Sequence, residues 1–172
     1  MLGATIVFTL AGLVLFLLEN LLAFSQVYIR PLALLLFYLG LDEALAPAFL
    51  LAVFFGLLQD SYALTPFGLH LVGALFVVLA ARFCRRRFLL RTVLPQMLAS
   101  LAVLVSQDAV LRLSLVLLGA RRSLPEDLAS PLVLEMAATA AVSPVLFALL
   151  GGLQRLMRRS RRPRRAADAE LS

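Results

Sequence analysis

Between Leu2 and Leu18 the chain carries no charged side chain, and apolar stretches of similar character recur as far as about Leu156. A backbone inside lipid must satisfy its own N–H and C=O groups, which leaves helices or a closed barrel as solutions. No strand-like alternation of polar and apolar residues survives over a useful length, so the runs read as helices. The 62% hydrophobic fraction and mean hydropathy of +0.98 lie well above soluble domains, which run about 45–50% apolar. The expected class is an all-α, polytopic membrane helical bundle. At about 20 residues per span, 172 residues hold five or six helices and no separate soluble domain.

Six segments can be drawn: Leu2 to Phe24, about Val27 to Leu41, Ala44 to Leu58, Pro66 to Phe83, Phe88 to Leu118, and Pro131 to about Leu156. The first lacks a basic leader and carries Glu19-Asn20 where a signal peptide has its small-residue cleavage site, so it reads as a retained span. The second and third are about 15 residues each, roughly 22 Å of helix against about 30 Å of hydrocarbon. Joined as one bent span they would bury Asp42-Glu43 near the bilayer centre; a hairpin of two short helices keeps both acids among headgroups. The expectation is six segments, two of them short, in a single membrane domain at 1–157, followed by a basic, disordered cytoplasmic tail at 158–172.

Arginine placement sets the orientation. All sixteen basic residues are arginine. Arg82, Arg85, Arg86, Arg87 and Arg91 follow the fourth segment, and Arg155, Arg158, Arg159, Arg161, Arg162, Arg164 and Arg165 follow the sixth. Arg30, Arg121 and Arg122 fall to the other side, and Arg112 lies within the fifth segment. Basic residues stay cytoplasmic, so both termini are expected there, with the turn between the third and fourth segments facing out. Arg85, Arg86, Arg87, Arg158 and Arg159 are candidate contacts for anionic lipid headgroups, which suit clustered arginines beside a membrane better than nucleic acid does.

Chemistry-bearing residues are sparse. One cysteine, Cys84, and one histidine, His70, exclude an internal disulfide and a multi-His or Cys-cluster metal site, and no cofactor is expected. The stretch from Gly56 to His70 stands out as a polar, turn-forming island. Gly56 permits close helix approach, and Pro66 suits the first turn of the fourth helix. Asp60 either accepts hydrogen bonds from turn amides and ends a helix, or forms a polar pocket or docking point for a partner. His70 lies within reach of Asp60 as a relay or as a singly bonded interfacial side chain. Asp108 and Arg112 share a helix face at i,i+4, with Ser106 and Gln107 extending the polar patch. They anchor a buried interface or sit near headgroups with Arg112 snorkelling. Glu19 and Glu135 join Asp60, His70 and Asp108 in a possible outward-facing polar rim. Gly151-Gly152 allows close packing and lacks the context of a phosphate loop. A lone histidine without paired aspartates on matched helices argues against an enzyme.

The run Gly-Leu-Leu-Gln-Asp-x5-Pro-x-Gly-Leu-His resembles the signature of the rod-shape-determining MreD family, with Gly56, Asp60, Pro66 and Gly68 in the motif places. Length, segment layout, basic loop and basic tail extend the resemblance over nearly the whole chain. The resemblance implies a non-enzymatic scaffold subunit of the bacterial elongation machinery in the cytoplasmic membrane. Its partner would be an MreC-like single-span protein, connected indirectly to MreB filaments and peptidoglycan synthases. The family also resembles the six-helix substrate-binding components of energy-coupling-factor transporters. That likeness implies an alternative, a small-molecule-binding transport subunit.

Overall fold

The computed structural model describes residues 2–24, 29–41, 45–63, 66–87, 93–117 and 129–169. These form six helices and no strand: α1 (Leu2–Phe24), α2 (Pro31–Leu41), α3 (Leu45–Tyr62), α4 (Leu69–Arg87), α5 (Val93–Leu117) and α6 (Ala129–Ala169). Three contain stretches long and apolar enough to cross a membrane: Thr5–Leu22, Leu94–Ser114 and Leu134–Leu156. Pro31–Leu41 and Ala46–Tyr62 are shorter apolar helices. Asp42-Glu43, Arg91, Arg121 and Arg122 lie outside the described residues.

The outside of the bundle is apolar. On α1, Leu10, Val14, Leu17 and Leu21 recur at helical spacing and are 58–66% exposed. Leu94, Leu98 and Leu113 on α5 and Leu134, Val145 and Leu149 on α6 are exposed to a similar degree. Apolar surface this continuous is foreign to a soluble monomer and suits lipid or a partner helix.

α2 occupies the centre. Its eleven residues are apolar on every face, the pattern of a buried core helix, and nine of them are buried. Pro31 opens the helix at the first position, where its missing N–H is no loss. Packed on every other helix, α2 is wrapped by an arc running α1, α3, α4, α5, α6. Its Phe37 stacks on Phe147 of α6, with ring centroids 5.8 Å apart. Gly40 meets α4 backbone to backbone, since a Cβ there would lie 2.8 Å from the Val78 carbonyl oxygen.

Three boundaries differ from the sequence reading. α3 continues past Leu58 through Gln59, Asp60 and Tyr62, so half of the polar island is helical. α4 begins at Leu69, and Pro66 lies in the preceding turn instead of the first turn of the helix. α6 remains helical through Arg158 to Ala169, where the sequence suggested a disordered arm; arginine and alanine are strong helix formers.

Candidate functional site

Asp60 is 4% exposed, and its carboxylate is fully committed. Oδ2 accepts from the Gly68 and Leu71 amides at 3.0 and 3.2 Å, and Oδ1 accepts from the His70 amide at 2.8 Å. The first amides of a helix have no partner within it, and α4 starts with glycine at the capping position, where no side chain is available. Asp60 supplies from α3 what Gly68 lacks, and its negative charge suits the positive end of the α4 dipole. The Leu69 amide reaches the Pro66 carbonyl at 3.3 Å, which completes the accounting for that end. Gly68 has φ of +95°, a conformation L side chains rarely adopt. Gly56 lies one turn before Asp60 on the same face of α3, and a Cβ there would sit 2.6 Å from Leu71 Cα. The motif Gly56, Asp60, Gly68 is thus a device that joins α3 to α4. The exposed Tyr62 and Phe67 stand at its tip.

Beside this hairpin lies a cavity of about 370 Å³, lined by residues from all six helices and by Ile29 and Arg30 of the segment before α2. Helix direction explains the convergence. The ends of α1 and α3 bring Glu19 and Gln59, and the starts of α4 and α6 bring His70 and Glu135. α5 contributes Gln107 from its second half, and Ala33, Leu36 and Ala74 form apolar wall. The arginine-bearing ends lie away from it: at 1.5 Å per residue, Arg85 is roughly 22 Å along α4 from His70, and Arg155 roughly 30 Å along α6 from Glu135.

The cavity has its own charge pattern. Arg30 Nε donates to Glu135 Oε1 at 2.6 Å, and the Arg30 amide donates to Thr139 Oγ1 at 3.2 Å. Glu19 is held more loosely, accepting from the Leu32 amide at 3.3 Å and from Gln59 Nε2 at 3.4 Å. The only ion pair of Arg30 is to Glu135, so Glu19 stands without a cation within bonding distance among the described residues. Gln107 is 8% exposed, and its Oε1 has no hydrogen-bond partner among the described residues. Gly73 makes room for it: a Cβ at that position would lie 3.1 Å from Gln107 Nε2.

The expected rim is therefore assembled in part. Glu19, His70 and Glu135 meet at the cavity, whereas Asp60 turns to the α4 amides. Asp108 pairs with Arg112 on α5, Oδ2 to Nε at 2.5 Å, and neither lines the cavity. Asn20 folds back onto the Phe16 carbonyl at 2.8 Å. Arg30 and Gln59 were not singled out from sequence as site residues. The signal for Gln59 was its place beside Asp60; for Arg30 it was a lone arginine just before Pro31. Of the lipid-facing candidates Arg85 is exposed near the end of α4, while at Arg86, Arg87, Arg158 and Arg159 the structure describes backbone alone. Among the described residues no group of three or more His, Cys, Asp or Glu comes together to hold a metal ion.

No family model matches this chain, and no curated protein or solved structure matches it.

Proposed function

We propose that the chain is a non-enzymatic scaffold subunit of a bacterial elongation complex in the cytoplasmic membrane, of the MreD kind. Six helical segments, two of them short, make up the membrane domain, both termini are cytoplasmic, and the α3–α4 turn faces out. The observation that carries the reading is the Gly56–His70 hairpin, in which the residues of the resemblance are the ones that build a rigid outer turn. A capped, glycine-packed turn with Tyr62 and Phe67 exposed at its tip offers a fixed surface to a partner's outer segment. The α1 stripe of Leu10, Val14, Leu17 and Leu21 offers an apolar face to a partner's single transmembrane helix. The partner under this reading is an MreC-like single-span protein, with MreB filaments and peptidoglycan synthases joined through it. Arginines at the cytoplasmic end hold anionic lipid headgroups.

Affinity purification from mild-detergent membranes of the native host, followed by mass spectrometry, tests the assignment. A single-span elongation protein with peptidoglycan synthases is the expected company. Asp60→Ala is expected to reduce recovery of that partner several-fold, and Glu43→Ala is not. Because Asp60 also supports the fold, Phe67→Ala at the exposed tip serves as the variant that leaves packing intact. Equal recovery by wild type, Asp60→Ala and Phe67→Ala would contradict docking at this turn.

The cavity favours a second reading, a small-molecule-binding subunit of a transporter. A partly open, partly charged space between bundle helices is where such ligands bind. Recovery of an ATPase pair with a coupling subunit would select it.

A further inference from the structure

We infer that the cavity lined by all six helices is a binding site for a primary ammonium group. Three observations carry this, and none depends on which partner the chain assembles with.

The first is charge. Among the described residues the cavity is lined by two carboxylates, Glu19 and Glu135, one guanidinium, Arg30, and the His70 ring. Arg30 pairs through Nε with Glu135 at 2.6 Å and forms no ion pair with Glu19. Among the described residues the remaining carboxylate receives two long hydrogen bonds, both from uncharged donors, at 3.3 and 3.4 Å. A carboxylate removed from water without a cation is costly, and a bound cation offsets that cost.

The second is hydrogen-bonding capacity. Gln107 Oε1 is an acceptor with no partner among the described residues, on a side chain more than nine-tenths buried in the cavity wall. An orphaned buried acceptor costs about 1–3 kcal/mol and calls for a donor. Glu19 also retains lone pairs beyond the two it uses. Glu19 and Gln107 thus offer acceptors to a ligand that donates from a positive centre, beside the Arg30–Glu135 pair and the His70 ring. An ammonium has three N–H donors and no acceptor, the complement of this arrangement.

The third is size. About 370 Å³ is at the lower end of ligand cavities and far larger than a single ion requires. Ala33, Leu36 and Ala74 line the wall with apolar surface, which suits a short carbon chain attached to the charge. Two sources present this chemistry at a membrane: a free small amine, and the ethanolamine headgroup of a phospholipid.

The test uses the full chain in nanodiscs of phosphatidylglycerol, with ethanolamine as probe and thermal unfolding as readout. Ethanolamine is expected to raise the melting temperature in a saturable way. Ethylene glycol, which lacks the charge, and choline, which lacks the N–H donors, are expected to leave it unchanged. Glu19→Gln keeps an acceptor for the Leu32 amide and is expected to weaken the ethanolamine response by at least about tenfold, since it removes one member of a buried charge pair. Gln107→Leu separates binding from folding. It deletes a buried orphan acceptor, so the empty protein should melt at the same temperature or higher while the response to ethanolamine falls.

Nanodiscs containing phosphatidylethanolamine distinguish the two sources. A raised melting temperature without added amine, and no further response to it, assigns the site to the lipid headgroup; an unchanged response assigns it to a free amine. No response to ethanolamine together with no effect of the ethanolamine lipid would overturn the inference. So would an equal response to ethylene glycol or choline, or a full ethanolamine response in both variants.

Discussion

Replacing Asp60 by alanine is expected to lower the stability of the protein by about 2–4 kcal/mol, with the loss read as a fall in thermal midpoint in mild detergent. The figure follows from what the carboxylate holds. Removing a single capping side chain costs about 0.5–2 kcal/mol, and hydrogen bonds to charged groups contribute about 1.5–3 kcal/mol each. Asp60 serves three amides, those of Gly68, His70 and Leu71, and does so while 4% exposed. Water cannot easily replace it there, and Gly68 brings no side chain of its own. Asp60→Asn keeps the shape and one acceptor oxygen but turns an NH2 toward an N–H, so it should recover part of the loss and not all. By contrast Ser61→Ala, one residue on, deletes an exposed hydroxyl that only returns to the Leu57 carbonyl, and should change stability by less than about 0.5 kcal/mol. A melting temperature for Asp60→Ala within about a degree of wild type would show that the cap contributes little.

How far the sequence revealed this arrangement varies residue by residue. The existence and order of the helices follow from the apolar runs, and the polar breaks fall close to the observed ends. The centrality of α2 was implicit in a segment that is apolar on every face, although sequence reading paired it with α3 as a short hairpin. Asp60 was legible as the important polar residue, and capping was one of the two roles open to it. Its target was harder to see because the cap crosses from the end of α3 to the start of α4, and the intervening turn has to fold before donor and acceptor meet. Gln107 was hidden for a different reason. Beside Asp108 it read as part of one polar patch, but neighbouring residues on a helix point about 100° apart. Asp108 meets Arg112 along its own helix, whereas Gln107 turns over Gly73 into the cavity. Glu19, His70 and Glu135 were expected to share a rim because the alternating direction of successive spans brings them to one end. Independent headgroup contacts were the other reading; the structure brings those three residues to one cavity.

The second large effect is expected at Gly56, and it is coupled to the first. A Cβ on Gly56 would lie 2.6 Å from Leu71 Cα and 3.2 Å from its amide nitrogen. These are backbone atoms, so no side-chain rotation relieves the contact and α3 and α4 must separate. Overpacking of this kind costs about 1–3 kcal/mol. Gly56→Ala should therefore destabilise even though alanine is the better helix former by about 0.5–1 kcal/mol. Gly152→Ala is the internal control. It has nothing within 4 Å of its added Cβ, and the propensity gain alone should make it neutral or slightly stabilising. Separation of the two helices also has a consequence at Asp60. Leu71, the residue Gly56 presses against, donates its amide to Asp60 at 3.2 Å, so pushing it away stretches the cap. The two substitutions then remove partly the same interaction. In a double-mutant cycle, Gly56→Ala with Asp60→Ala should cost less than the sum of the singles by at least about 0.5 kcal/mol. Strict additivity would mean that close helix approach and capping are independent features of the turn. The expected shortfall would mean that the glycine sets the helix separation at which the aspartate can reach.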